Sequence, residues 1–531
     1  MMKKNIFSII FLLPFMIFGQ SIDFSAKYFD FQTVIDTDSD SIQLTLTNNS
    51  GYDISVTGIK FMQIYDAQPF FVKDSVFSIS IGNAYDIWVY FEPEQNILHQ
   101  MKAVVKTDFR GDYLISLKGI GNFSNSYYDN SYNKIEQDLK ASLKTITGQG
   151  YNSLSYSGAR DNMYGSIDNV GGDVECVYTG RVATFNTRPG ANSNSFNCEH
   201  TFPQGFFNQS SPMRSDIHHL FSTDVTSNSR RGNYPFGIVS GSSSWSVGGS
   251  KQGGGVFEPR DAQKGQVARA LFYFVLRYED YSSHVQGQET ILRTWFDQYP
   301  PIAKDIDRNN DIYALQNNRN PFVDYPQLLK RISKISGNSV ATGVKGLYVS
   351  RDTVDMTGQT DSTLYTISIM NTGNEKVTIT NFRISNTTNF DFSSAQSDIT
   401  LLPGEGYEIQ LRVTPTLTPL VDETLSFDTD VSGMGTVDVT LLGGWSTLST
   451  AEVDGSSKLR VFPNPAKSAV SVVWQNQKNY DLEIYNVVGK LVYSSGSLEQ
   501  KQINVSDFES GSYILKTSNG SLREQTTLII K

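Results

Sequence analysis

Two separate stretches of the chain alternate apolar and polar side chains in short runs, which is the pattern of half-buried β-strands. Residues 20–121 contain such runs at Ile42–Leu46 and Ile87–Phe91, with turn-forming residues between them. Residues 344–444 repeat the plan, and Ile367–Gly373 corresponds there to the end of the first run and the turn after it. The pattern predicts an all-β sandwich in each stretch.

Between these stretches, in residues 122–336, apolar residues recur every three to four positions instead. Over Ile135–Thr147 they fall on one face of a helix, and a second helix with an apolar stripe is predicted over Ala262–Tyr278. The sequence therefore predicts a mixed α and β domain between two β-sandwiches.

The beginning of the chain is typical of an export signal. Lys3 and Lys4 precede an apolar run from Ile6 to Phe18, and Gly19 follows as a small residue at the cleavage position. The run is shorter than the ~20 residues that a membrane span needs, and no later segment is apolar for long enough. Residues 1–19 are therefore predicted to be a removable signal peptide, and the mature protein to be exported without a membrane span.

Composition narrows the class of protein. A length of 531 residues predicts roughly three to five domains, and 39% hydrophobic residues suffice for folded cores. The net charge of −10 argues against a protein that coats nucleic acid non-specifically, although a local site stays open. The two cysteines, Cys176 and Cys198, exclude a disulfide scaffold and a Cys-based zinc site. They could form one disulfide or stay free, and the sequence leaves both alternatives open.

Residues that could carry chemistry are concentrated in the middle stretch. Three of the five histidines, His200, His218 and His219, lie close together there. Glu199 and Asn228 offer hard oxygen ligands that suit Mg²⁺, and a neighbouring histidine can take a proton from water at neutral pH. Metal-assisted phosphodiester hydrolysis is one interpretation, and a histidine with ordinary structural partners beside a solvated glutamate is the other. Zinc-protease, serine-hydrolase and Walker-type motifs do not occur in the sequence.

The run Asn197–Gly237 resembles the secreted and periplasmic endonuclease I family of bacteria, whose active site is a ββα-metal (His-Me) finger. Further blocks in the same order carry the resemblance along the chain: Asp173–Arg181, Phe257–Ala270 and Gln316–Pro326. Together they cover most of residues 122–336, and the resemblance implies an α+β nuclease core.

The resemblance also implies roles for individual residues. His200 would be the general base, and Glu199 and Asn228 would hold a single Mg²⁺, with Mn²⁺ or Ca²⁺ as alternatives. Cleavage would leave 5′-phosphate ends. The family has an arginine beside the scissile phosphate, for which Arg214 is the candidate. Cys198 departs from the basic or polar residue expected next to the Glu-His pair.

Other polar residues of this region each have two interpretations. Asp216, His218 and His219 could orient the ligands from behind or take part in catalysis directly. Arg230, Arg231 and Asn233 could contact backbone phosphates or anchor the helix of the finger.

The C-terminal stretch, residues 459–531, is also strand-like. Its blocks Val461–Ala466, Leu482–Lys490 and Gly511–Lys516 resemble the type IX secretion sorting domain. This resemblance implies export across the outer membrane by the type IX secretion machinery. The two sandwich stretches resemble, more loosely, the immunoglobulin-like modules of secreted bacterial proteins.

The predicted fold is thus multidomain, with an α+β ββα-metal nuclease core flanked by all-β immunoglobulin-like sandwiches. The predicted boundaries are 1–19, 20–121, 122–336, 344–444 and 459–531. The predicted function is that of a secreted, metal-dependent, largely sequence-nonspecific endonuclease that binds DNA through its phosphate backbone, with RNA as the further substrate. The alternative is a surface adhesin or glycan-binding protein that contains a non-catalytic nuclease-like scaffold.

Overall fold

The computed structural model describes most of the chain. The described residues are 21–63, 65–356, 363–387, 389–413, 421–443, 459–474, 479–487, 489–498, 501–520 and 522–531. The chain forms two compact units, Met1–Ser446 and Thr447–Lys531. The predicted signal peptide lies outside the described residues. None of the helices in the described ranges is long and apolar enough to span a membrane.

The first unit begins with strands that form two sheets within residues 21–63 and 65–122. One sheet has the order β1-β3-β7-β5 and the other the order β2-β9-β8-β4-β6. Leu44 on the first sheet and Ile115 on the second are fully buried in the same hydrophobic core. The strands are β1 (Ile22–Phe24), β2 (Tyr28–Ile35), β3 (Asp40–Asn48), β4 (Ile54–Lys60), β5 (Phe70–Val72), β6 (Phe77–Ile79), β7 (Ala84–Phe91), β8 (Leu98–Thr107) and β9 (Asp112–Asn122).

The middle of the first unit, residues 123–336, contains helices and short strands. The helices are α1 (Glu136–Gly148), α2 (Tyr156–Asn162), α3 (Arg188–Ser193), α4 (Val225–Arg231), α5 (Asp261–Arg277), α6 (Glu289–Gln298), α7 (Ala303–Gln316) and α8 (Pro321–Asp324). The strands are β10 (Asn169–Val170), β11 (Asp173–Glu175), β12 (Val182–Thr184), β13 (Phe196–His200), β14 (Leu220–Asp224), β15 (Trp245–Val247), β16 (Ser250–Gly253) and β17 (Val256–Glu258). The two helices predicted from the apolar spacing are confirmed as α1 and α5.

Helix α5 lies at the centre of this middle region. Leu271, Phe272 and Phe274 point to different sides of the helix, and all three are fully buried. A helix that is buried on every side lies in the interior of its domain rather than on its surface. The ring of Phe274 stacks on that of Phe202 with centroids 4.1 Å apart, so α5 supports the loop that follows β13.

The sheets of the described part of 344–443 repeat those of the N-terminal stretch. Their orders are β18-β20-β24-β22 and β19-β26-β25-β21-β23, which correspond strand for strand to the two N-terminal orders. The strands are β18 (Leu347–Val349), β19 (Thr353–Asp355), β20 (Thr363–Asn371), β21 (Val377–Ile384), β22 (Phe390–Phe392), β23 (Ile399–Leu401), β24 (Gly406–Val413), β25 (Val421–Thr429) and β26 (Thr436–Gly443). The repeat seen in the sequence is therefore also a repeat of topology.

The two repeats contact each other directly although about 200 residues of chain separate them. The guanidinium of Arg351 donates to the carboxylate of Asp112 at 2.9 and 2.8 Å, and Asp112 is fully buried. Ser368 Oγ donates to the Asp112 carbonyl at 2.8 Å, and the backbone N–H of Leu114 donates to Glu408 at 2.7 Å. The described residues of 21–122 and 344–443 are thus joined by hydrogen bonds.

The second unit has its own sheets and core. Its sheets have the orders β27-β28-β31 and β30-β29-β32-β33. Val472, Ile484 and Leu515 are fully buried between them. The strands are β27 (Leu459–Phe462), β28 (Ala469–Trp474), β29 (Tyr480–Asn486), β30 (Leu491–Leu498), β31 (Lys501–Asn504), β32 (Gly511–Asn519) and β33 (Leu522–Ile530).

Candidate active site

Two antiparallel strands, β13 and β14, and the helix α4 build the centre of the site. The last residue of β13, His200, pairs with Leu220, the first residue of β14. At the other end of β14 the carboxylate of Asp224 accepts a hydrogen bond from the backbone N–H of Ser227 at 2.8 Å. This N-cap fixes the start of α4, and Asn228 lies one turn into the helix.

The side-chain amide of Asn228 is held in one orientation. Its Nδ2 donates to Oδ1 of Asn197 at 2.9 Å and to the carbonyl oxygen of Cys198 at 3.1 Å. Both N–H groups of the amide are used in this way, and Oδ1 of Asn228 has no hydrogen-bond donor among the described residues. The helix therefore presents a bare amide oxygen, which is a hard ligand for a divalent cation.

The carboxylate of Glu199 is buried beside this amide and held by two partners. Its Oε1 accepts the hydroxyl hydrogen of Tyr178 at 2.7 Å and lies 3.1 Å from Nε of Arg231. Burial raises the pKa of Glu199, while Arg231 and Tyr178 act to lower it. The positive guanidinium favours the charged carboxylate, which is the form that binds a cation.

His200 is buried with a defined tautomer. Its Nε2 lies 3.1 Å from the carbonyl oxygen of Arg214, and a carbonyl only accepts, so the proton is on Nε2 and the lone pair on Nδ1. Burial lowers the pKa of His200 to about 3, and the neighbouring His219 and arginines act in the same direction. The imidazole is therefore neutral near pH 7 and can accept a proton at Nδ1.

Strand geometry places the base and the ligands around the end of β13. Because successive side chains alternate, Asn197 and Glu199 point toward α4, whereas His200 points to the other face. There its ring lies 5.5 Å from that of Tyr156. Glu199 and His200 are consecutive, and Asn228 is bonded to residues 197 and 198. The structure thus places Glu199 and Asn228 on one face of β13 and His200 on the other, at the end of the same strand.

Two arginines lie beside His200. Arg214, the predicted phosphate ligand, has its guanidinium carbon 4.4 Å from the centre of the Tyr156 ring. Arg160, on α2, has its guanidinium carbon 4.2 Å from the centre of the same ring. The sequence prediction did not include Arg160 or Tyr156. Their spacing of four residues within a short helix was the available signal, and only the tertiary structure connects it with His200.

The carboxylate of Asp216 is fully buried and accepts several hydrogen bonds. The donors are the His218 backbone N–H and the side chains of Gln316, Tyr273, Tyr278 and Arg277. Burial acts to raise the pKa of Asp216, but Arg277, the histidines and Tyr273 outweigh it and lower the pKa to about 2. Asp216 therefore stays charged and supports the segment between the two ligand positions.

His218 and His219 are also enclosed. The Nε2 of His218 donates to the Asn318 carbonyl at 3.0 Å, and that of His219 donates to the Met213 carbonyl at 2.6 Å. His218 is only 4% exposed and His219 is fully buried. Of the two interpretations for His218, these contacts support the structural one.

The three polar residues at the end of α4 differ in exposure. Arg231 is fully buried and donates to the carbonyl oxygens of Thr201 and Gly232, which supports the interpretation that it anchors the helix. Arg230 and Asn233 are exposed and stay candidates for phosphate contacts.

The disulfide that the sequence left open is not formed, since Cys176 and Cys198 are both free. The Sγ of Cys176 is 3.1 Å from the Asp224 carboxylate and 3.4 Å from Oγ1 of Thr223. Thr223 pairs with Asn197, so its side chain lies on the opposite face of the strand pair from that of Cys198. The sheet therefore separates the two sulfur atoms.

The available donors fit a divalent cation that keeps most of its water. Oδ1 of Asn228 is unpartnered, and Glu199 supplies a charged oxygen from the same face of β13. Among the described residues, no group of three or more His, Cys, Asp and Glu side chains could hold a metal ion. Two oxygen ligands with the rest from water and phosphate are typical of Mg²⁺ sites and unlike structural zinc sites.

Comparisons with known proteins assign about half of the chain to described families. The endonuclease I family matches residues 127–327, and the secretion system C-terminal sorting domain matches residues 460–531. An extracellular ribonuclease of Bacillus subtilis (strain 168) is 33% identical over 228 residues, which are 38% of this chain and 77% of that protein. A periplasmic deoxyribonuclease of Aeromonas hydrophila is 32% identical over 123 residues, which are 21% of this chain and 48% of that protein.

Proposed function

We propose, because this chain belongs to the endonuclease I family, that His200, Glu199 and Asn228 form the catalytic centre of a divalent-metal-dependent endonuclease. The protein is a secreted nuclease that acts on nucleic acids. The observation that carries the proposal is the bare Oδ1 of Asn228, which lies on the same face of β13 as the buried Glu199, while the neutral His200 is the next residue of that strand. The element that holds them, β13-β14-α4, is the proposed ββα-metal (His-Me) finger.

His200 is the proposed general base. Its Nε2–H bond to the Arg214 carbonyl fixes the ring and leaves the lone pair of Nδ1 for the proton of the attacking water. A neutral base in a site of low solvent access needs no prior deprotonation near pH 7. In-line attack by the water then breaks the bond between phosphorus and the 3′ oxygen and leaves a 5′-phosphate end.

Glu199 and Asn228 are the proposed metal ligands, with Mg²⁺ as the expected ion and Mn²⁺ or Ca²⁺ as alternatives. When bound, such an ion stabilises negative charge on the phosphate and on the leaving oxygen. Tyr178 and Arg231 hold Glu199 in place, and Asn197 holds the amide of Asn228. These partners position the ligands and keep the carboxylate charged.

The proposed substrate is the sugar–phosphate backbone of DNA, and RNA is the further substrate. Relatives of this chain are named for each activity, an extracellular ribonuclease and a periplasmic deoxyribonuclease. Exposed Arg230 and Asn233 can contact phosphates without reading bases. Cleavage is therefore expected to depend little on sequence and to weaken as salt concentration rises.

The stretches outside the catalytic domain are proposed to direct export of the protein or to flank that domain as structural modules. Residues 1–19 are the proposed signal peptide, and residues 459–531 address the protein to the type IX machinery of the outer membrane. Residues 122–336 are the proposed catalytic domain, and 20–121 and 344–444 the proposed immunoglobulin-like sandwiches that flank it. A ligand set with its supporting contacts in place favours this reading over an adhesin that contains an inactive scaffold.

The test is plasmid nicking by the purified mature protein. The wild-type protein should convert supercoiled plasmid to the nicked circle in the presence of Mg²⁺. The reaction should stop when a chelator is added. His200→Ala should lower the rate by about 10²–10⁴-fold, which is the usual contribution of a general base. Equal rates for wild type and His200→Ala would remove the proposal. Duplex DNA, single strands and RNA run in parallel would rank the substrates.

A further inference from the structure

Arg160 and Arg214 are two cations without an ion-pair partner among the described residues. Several other buried or half-buried arginines of the same domain have a carboxylate partner, as Arg269 does in Asp305 and Arg308 does in Asp168. In the part of the chain that the structure describes, neither Arg160 nor Arg214 forms an ion pair or donates a side-chain hydrogen bond. Both lie against Tyr156 instead, at 4.2 and 4.4 Å from the ring centre.

The Nε atoms of the two guanidinium groups also lack partners among the described residues. Both are enclosed and have no hydrogen-bond partner. An enclosed N–H without an acceptor is costly, and two positive charges over one ring repel each other. The contact with the aromatic face offsets only part of that cost. The arrangement is therefore complete only when an anion lies between or beside the two groups.

Their position indicates which anion this is. Tyr156 lies 5.5 Å from the ring of His200, and the backbone carbonyl of Arg214 holds that same histidine. An anion bound by the two guanidinium groups therefore lies beside the proposed base. The planar guanidinium matches phosphate with two parallel hydrogen bonds, which makes a phosphodiester the fitting ligand.

We propose that Arg160 is a substrate-binding residue, and that Arg160 and Arg214 together hold one backbone phosphate of the nucleic acid beside His200. This inference rests on the proposed nuclease function. It adds a residue from α2, which lies about 40 positions before His200 in the chain and outside the finger. Tyr156 is the positioning residue, because both guanidinium groups lie against its ring.

The test measures binding without cleavage. The full mature chain carrying His200→Ala is mixed with a fluorescein-labelled duplex in the presence of a chelator, and Kd is measured from about 50 to 200 mM salt. Adding Arg160→Gln should weaken binding about tenfold and reduce the slope of log Kd against log salt by about one. Arg160→Lys should keep the slope and still bind more weakly, because lysine keeps the charge but not the paired hydrogen bonds.

Two controls make the result specific. Arg188, which pairs with Asp161 at 2.6 Å, is the matched arginine of the same domain, and Arg188→Gln should leave Kd and slope unchanged. If both arginines hold one phosphate, Arg160→Gln combined with Arg214→Gln should lower the slope by about one in total, not two. Thermal unfolding of each variant verifies that it is folded.

The outcomes separate the two proposals. An unchanged Kd and slope in Arg160→Gln and in Arg160→Lys would overturn the inference about Arg160, even if wild type cleaves DNA. A slope that falls by two in the double variant would assign the arginines to different phosphates and overturn the shared site. Absence of metal-dependent cleavage by wild type would remove the nuclease mechanism, whereas the binding experiment decides on Arg160 independently.

Discussion

The Nε atom of Arg231 lies 3.1 Å from Oε1 of Glu199, and the exposed fractions of the two side chains are 0% and 2%. A buried carboxylate of this kind stays charged because a buried cation accompanies it. Arg231 belongs to α4, the helix that also carries Asn228. The ion pair therefore ties one proposed metal ligand to the helix that presents the other.

Arg231→Met should destabilise the protein and abolish cleavage. It leaves the carboxylate of Glu199 buried without its cation, a change that typically costs about 3–5 kcal/mol. The measurement is the free energy of unfolding in denaturant together with the nicking rate. Arg230→Met, on the exposed side of the same helix, should change stability by less than about 0.5 kcal/mol. Equal stability of the two variants would contradict the role of the ion pair.

Asn197→Ala should raise the Mg²⁺ concentration that cleavage requires, without unfolding the protein. The substitution removes the oxygen that accepts from Nδ2 of Asn228 at 2.9 Å, so the amide can rotate. Loss of such a supporting contact typically lowers metal affinity or activity by about 10–100-fold. Cleavage is measured as a function of Mg²⁺ concentration. Asn197→Asp keeps the acceptor and should stay closer to wild type; an identical Mg²⁺ requirement in all three proteins would exclude this role.

Stability should fall as the pH drops from 7 to 5. Burial lowers the pKa of His99 and of His218 to about 4, against about 6.5 for an unfolded histidine. Between these values the unfolded state binds more protons, so the stabilisation is complete above about pH 6.5 and is lost as the pH falls toward 4. Each histidine accounts for a loss on the order of 2 kcal/mol at pH 5.

Thermal unfolding midpoints at several pH values measure this effect. His99→Leu removes one titrating group and should flatten the pH dependence, whatever its effect on stability at pH 7. A midpoint that stays constant from pH 7 to pH 5 in wild type would show that these histidines titrate alike in both states.

Arg351→Leu should uncouple the two repeats. Asp112 is fully buried and accepts two hydrogen bonds from Arg351, so the substitution leaves a buried carboxylate short of its cation. Calorimetry should show a lower or divided unfolding transition, and nicking of plasmid should persist below it. Arg383→Leu is the matched control, because Arg383 and Asp428 form an exposed ion pair of little energetic value. Equal effects of the two substitutions would contradict the coupling.

Much of this architecture follows from local pattern. The spacing of apolar residues predicted α1 and α5 to within a residue at each end, because a helix that packs by one side repeats every 3.6 residues. Glu199, His200 and Asn228 were selected because the run Asn197–Gly237 resembles the endonuclease I family, and the structure places them within one strand-strand-helix segment.

The features that the sequence did not predict depend on contacts between segments that are distant in the chain. Arg160 and Arg214 are 54 positions apart, and only the packing of α2 against the finger places both on Tyr156. The free state of Cys176 and Cys198 depends on which face of a strand pair each occupies. The contact of Arg351 with Asp112 required the arrangement of two modules that pattern alone treats as separate.

Metal binding and catalysis can be separated by one set of measurements. Mn²⁺ binding, followed by electron paramagnetic resonance, and plasmid nicking are compared for wild type, Glu199→Gln, Asn228→Ala and His200→Ala. Glu199→Gln and Asn228→Ala should lose both Mn²⁺ binding and cleavage, because they remove the ligand oxygen or its charge. His200→Ala should bind Mn²⁺ as wild type does and lose cleavage by about 10²-fold or more. Unchanged Mn²⁺ binding in both Glu199→Gln and Asn228→Ala would contradict the account.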